Sequence, residues 1–281
     1  PGFLDASEGI IYLTAQALSG TAIRASALEI GRQGDEGTAA GKITIAGPLG
    51  GGVSPQEVFS PLLQTLKFLS GEAVEDAGFY ATPVASPFGI NLESRGLAVK
   101  CNGAVALQGT VGTLAVDATA NNNIRFIDTE DGLTVGVVDG VSGILGGTVY
   151  LDSQGGSLTQ AAGATILAPT GGISLQATGP IRLDQANNFN LVAASAGANP
   201  VYLRSIGPMR ISSFGAGQPG SSPDPVVGIT GSNVTLVAGA GLSQSGDAPI
   251  FASSSFLATV ANGADVVLTA AANALRTTPI V

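Results

Sequence analysis

The chain has 281 residues, 41 of them Gly, no His or Trp, and 11 basic against 20 acidic side chains for a net charge of −9. Such a balance excludes a surface built for nucleic acid or anionic membrane, which needs clustered Lys and Arg, and the missing His excludes the usual triads and His-containing metal sites. Its Val, Ile, Leu and Ala content is too high for disorder, and with so much Gly it suits many short strands separated by turns.

The opening "PGFLDASEG" lacks both Met and the basic-then-apolar order of a signal peptide, which reads as an interior piece of a longer chain. "GIIYLTAQAL" (9–18), "TAIRASALEIG" (21–31) and "GKITIAG" (41–47) then alternate apolar and polar residues and predict the first strands. The text changes over 53–89. Ser54 and Glu57 have capping-box spacing with Pro55 at the first helical position, and Val58, Leu62, Leu66 and Leu69 share one helical face. This predicts a helical insertion leaving from a corner, between strand regions at 1–52 and 90–281. It also gathers Phe59, Phe68, Phe79, Tyr80 and Phe88. Phe79, Tyr80 and Phe88 are the candidate contact surface, available to a partner copy or a receptor.

From residue 90 a short unit recurs, a turn residue followed by apolar-x-apolar. Examples are "GAVALQ" (103–108), "NIRFID" (123–128), "GTVYLD" (147–152), "GGISLQ" (171–176), "GPIRLD" (179–184), "NPVYLR" (199–204), "GPMRIS" (207–212) and "NVTLVA" (233–238). Leu175, Leu183 and Leu191 lie eight apart, the length of one strand plus one corner. Three such units make a rung of roughly 20–28 residues, and stacked rungs make a parallel β-solenoid whose inward columns are apolar. A longer repeat overlies this one: "GGSLTQAAGATILA" (155–168) returns as "GAGLSQSGDAPIFA" (239–252), with Val149-Tyr150-Leu151 matching Val234-Thr235-Leu236. Three or four rungs would separate the copies. Only the Asp-Gly pairs at 131–132 and 139–140 have the text of a two-residue hairpin.

Candidate chemistry is sparse. Cys101 is alone, so no disulfide forms within the chain, and "KCNG" reads as a small buried or loop thiol. "DTEDG" (128–132) gathers Asp128, Glu130 and Asp131, which reads first as a corner turn and second as a weak Ca²⁺ or sugar-cleaving cluster. No cofactor or metal is expected. No apolar run is long enough for a membrane helix. Arg182, Asp184, Tyr202, Arg204 and Arg210 alternate outward from strands whose inward residues are Ile181, Leu183, Val201, Leu203, Met209 and Ile211. Arg182, Tyr202, Arg204 and Arg210 therefore form a candidate glycan patch, in which three strands per rung place Arg182 and Arg210 on one face. The sequon "NVT" at 233–235 reads as a corner asparagine before it reads as a modification site.

The runs at 121–160 and 231–252, and "IIYLTAQALSGTAIRASALEI" (10–30), resemble the repeat rods of filamentous-haemagglutinin-like exoproteins of Gram-negative bacteria. The resemblance spans the chain outside 53–89 and rests on rung style. It implies an all-β, right-handed parallel β-helix, two-partner secretion of the parent chain to the exterior or outer cell surface, and a non-enzymatic adhesive or matrix role. The partners it implies are a host or neighbouring-cell receptor, an extracellular glycan, or another copy end to end or side to side. The "NPN"-type text of the secretion domain is missing, since "ANPVYLR" (198–204) merely contains Asn-Pro. The alternative is a carbohydrate-active β-helix enzyme, a polysaccharide lyase or hydrolase.

Overall fold

The structure is a computed structural model that describes residues 4–13, 17–18, 23–30, 43–45, 65–70, 72–76, 92–215, 225–261 and 263–275. These residues form an all-β fold without helix, dominated by one 22-stranded sheet whose pairings are all parallel. Each run of alternating text named above contains a strand, because alternate apolar residues give every segment one face to bury.

Three ladders organise the sheet. The first aligns Ile43, Val74, Val105, Ile124, Val149, Ile173 and Val192, and continues through Ala194, Ile229 and Ile250. The second aligns Leu133, Leu158, Ile181, Val201, Val234 and Phe256. The third aligns Phe68, Val99, Val116, Ile144 and Ile166, while a further column, Met209, Leu242 and Val266, joins the first ladder through Ile211, which pairs with Val192. The chain visits the ladders in rotation, so Val149 pairs with Ile124, 25 positions before it, and with Ile173, 24 positions after. Long strands such as Val105–Asp117 and Ile181–Ser195 bend through all three ladders, and the sheet closes on itself like a barrel. Inside lies one continuous apolar cluster from Leu66 to Ala252, with Phe68, Phe126 and Phe189 fully buried.

The helical reading of 53–89 is corrected where the chain is described. Thr65–Ser70 is a strand paired with Ala27–Ile30 on one side and with Leu97–Cys101 on the other, and Val74–Asp76 is also a strand. Leu66 and Phe68 point inward at period 2, and ladder bonds on both edges outweigh the local helical spacing. The insertion therefore does not run unbroken from 53 to 89.

Two antiparallel hairpins stand outside the ladders. Val137–Val138 pairs with Val141–Ser142 around Asp139–Gly140, whose φ values of 43° and 80° are those of a two-residue hairpin turn. Val138 and Val141 cover Ala98 and Ala115, and Lys67 ties the tip down through Asp139 at 3.0 Å. The second joins Ser213–Phe214 to Val226–Val227, and Phe214 and Val226 cover Ile127, Tyr150 and Ala193. Asp131–Gly132, the other Asp-Gly pair, is a corner at φ 61° and 91°.

The long repeat has a structural counterpart with an unexpected rotation. Val149 lies in the first ladder and its match Val234 in the second; Leu158 lies in the second and Leu242 in the column that joins the first; Ile166 lies in the third and Ile250 in the first. The hairpins obey the same shift, leaving before Ile144 of the third ladder and before Ile229 of the first. Each ends on a positive-φ glycine, Gly143 and Gly228 at φ 66°, and a Cβ there would strike the carbonyl of Thr165 or Pro249.

Candidate functional site

Outward positions of the second ladder bring part of the predicted patch together. Arg182 stands in register with Tyr202, and the same column continues to Thr235 and Leu257. The Arg182 guanidinium lies over the Tyr202 ring, 5.4 Å from its centre, and its Nε donates to Asp184 Oδ2 at 2.9 Å while the side chain stays 65% exposed. The Asp184 carboxyl is held below its ordinary range, first by the amide of Gln185 and then by Arg182. Arg204, also exposed, reaches the Asp184 carbonyl at 3.4 Å. The inward partners Ile181, Leu183, Val201, Leu203, Met209 and Ile211 are all buried, as the alternation requires.

Arg210 does not join this group. It pairs in register with Leu191, beside Val192 of the first ladder, and with Ser243, so the expectation that Arg182 and Arg210 share a face is corrected. One circuit beyond Arg182 falls at Tyr202, and the corner after Ser205 carries the chain onto another face before Arg210 is reached. Phe79, Tyr80 and Phe88 lie outside the described residues.

The acidic text at 128–132 does not converge. Glu130 and Asp131 are exposed at the corner, whereas Asp128 is fully buried, accepting the Val111 amide on Oδ1 at 3.2 Å and the Ser153 hydroxyl on Oδ2 at 3.3 Å. Among the described residues no three ligating side chains are placed to hold a metal ion. Cys101 is buried, and its Sγ donates to the Gly103 carbonyl at 3.2 Å.

The interior also holds polar clasps that the alternation alone does not announce. Gln160 Nε2 donates to Asn187 Oδ1 at 2.6 Å, Asn187 Nδ2 returns a bond to Gln160 Oε1 at 3.1 Å, and Asn187 Oδ1 also accepts the Ile166 amide at 2.8 Å. Gln244 and Asn273 repeat the set at 2.7, 2.9 and 2.8 Å, the last from Ile250. The signal was the glutamine shared by the two copies of the long repeat, Gln160 and Gln244. Tyr150 is a second surprise: it sits at an outward position yet is fully buried, with Arg125 over its ring and its hydroxyl donating to Gln176 Oε1 at 2.6 Å. The second hairpin covers it, and no alternation pattern encodes a distant cover.

Comparison with protein-family models, with curated proteins and with solved structures finds no match to this chain.

Proposed function

We propose that the three ladders are the faces of a right-handed parallel β-helix, and that the chain is a non-enzymatic, structural and adhesive segment of a secreted or surface-displayed bacterial exoprotein of the filamentous-haemagglutinin type. Its outward faces take up an extracellular glycan or the surface of another cell. The rotation of the chain through three parallel ladders around one apolar interior supports the architecture.

The observation that carries the binding role is the Arg182–Tyr202 pair, an exposed guanidinium lying over an aromatic ring one circuit away. A planar cation beside a ring offers a sugar both an apolar face and hydrogen-bond donors, and Arg204 adds a second positive charge. Its partner class is accordingly an acidic polysaccharide.

The test is retention of the purified protein on immobilised acidic and neutral polysaccharides across a salt series, with Arg182→Ala and Tyr202→Ala beside it. Retention on the acidic polymer, falling with salt and weakened about tenfold by either substitution, is expected. Equal retention of the substituted proteins removes the glycan role. Release of new reducing or unsaturated ends would make the molecule a polysaccharide-cleaving enzyme.

A further inference from the structure

Three side chains, buried Asp128 and Asn187 and half-buried Asn273, perform one task. Each sends a side-chain oxygen back to an earlier circuit: Asn187 Oδ1 accepts the amide of Ile166, 21 positions before it, and Asn273 Oδ1 that of Ile250, 23 before it, both at 2.8 Å. Asp128 Oδ1 accepts that of Val111, 17 before it, at 3.2 Å. The two asparagines close their clasps with a neutral amide, donated to Gln160 and Gln244. Asp128 has only a second acceptor oxygen, and that oxygen meets the hydroxyl of Ser153. Among the described residues it is the one buried carboxylate.

The surroundings offer its charge hydrogen-bond donors but no cation. Strand Val105–Asp117 contributes the Val111 amide, and Thr110 there bonds to Thr129 at 3.2 Å, while that strand's own carboxylate, Asp117, stands at its far end. Strand Val149–Ser153 contributes the Ser153 hydroxyl, with Tyr150 engaged by Gln176 and Asp152 by Gln154. The corner that follows contributes the Gly132 amide, exposed Glu130, and Asp131, whose negative charge opposes ionisation. None of the groups acting on the carboxyl is basic.

We infer that Asp128 is a proton-operated clasp: protonated, it holds successive circuits as the neutral asparagines do; ionised, it loosens the stretch from Gly109 to Leu133 and the neighbouring Ser153–Ser157 corner. Burial, the largest influence, pushes this carboxyl from its ordinary 3.8 up to about 6. The folded chain therefore binds the proton more tightly than the unfolded chain. Its contribution to stability is complete below pH 3.8 and is lost as pH rises through about 6.

Urea unfolding of the wild type and Asp128→Asn between pH 4 and 8 tests this. Other carboxylates titrate in both proteins, so the informative quantity is the ratio of the two folding equilibrium constants. The ratio is expected to shift in favour of Asp128→Asn by roughly ten- to a hundredfold between pH 4 and 7. A ratio that stays constant with pH overturns the proposal. Should Asp128→Asn fail to fold, carbon-13 titration of the Asp128 carboxyl in the wild type decides: a midpoint near 6 upholds the clasp and one at or below 4 overturns it.

Discussion

Thr119 sits at φ 61°, where a β-branched side chain crowds its own backbone. It is held there by Asn122, whose Nδ2 donates to Thr119 Oγ1 at 2.7 Å and to the Ala118 carbonyl at 2.6 Å, closing the corner before the strand Ile124–Asp128. Thr119→Gly relieves the strain at some entropic cost, and a net gain of about 0.5–1 kcal/mol in urea unfolding is expected. The reverse holds at Gly143, where both the positive φ and the Thr165 carbonyl oppose a side chain; Gly143→Ala should cost about 2 kcal/mol or more in the same assay. At Cys101 burial pushes the thiol up to about 11, so little thiolate exists at pH 8. Alkylation of the native protein at that pH should run at least about a hundredfold slower than that of the urea-unfolded chain. Equal rates would place the thiol at the surface.

At the scale of elements, alternation was legible and partnership was not. "PIRLD" and "PVYLR" declare their strands because Ile181, Leu183, Val201 and Leu203 bury one face whatever lies on either side. Thr65–Ser70 carries two patterns at once, the helical spacing of Leu62, Leu66 and Leu69 and the alternation of Leu66 with Phe68, and only the strands on its two edges decide between them. The candidate site divides likewise. Arg182 and Tyr202 stack because they are one circuit apart, whereas Arg210 was misplaced because corner length, which composition does not dictate, sets the ladder a residue enters. The amide clasps bind elements rather than residues. Asn187→Ala leaves the Ile166 amide without its partner in the interior and removes one of the partners of Gln160, and a loss of about 2–3 kcal/mol is expected. Gln160→Ala combined with Asn187→Ala should cost less than the sum of the separate losses.

Across the whole molecule, closure of the interior is uneven. Val234, Leu236 and Ala238 are buried, while Phe256, Ala258 and Val260, their partners one circuit on, are only partly covered, and Val266 is 44% exposed. Each circuit is stabilised by its neighbours, so opening is easiest where cover is thinnest. Amide hydrogen exchange should therefore be slowest across 149–211 and faster, by about tenfold or more, across 256–275. Uniform protection would mean that the fold opens only as a unit.

The change of ladder between the two copies of the long repeat has a consequence for where the chain projects from the sheet. A duplicated segment need not be in phase with the winding. The second copy occupies different walls from the first, yet Gly143 and Gly228 keep the same φ, and the glutamine clasps and outward hairpins recur with it. Repetition in this molecule sets its two hairpins on different ladders, before Ile144 of the third and before Ile229 of the first, where an in-phase duplication would have set both on one.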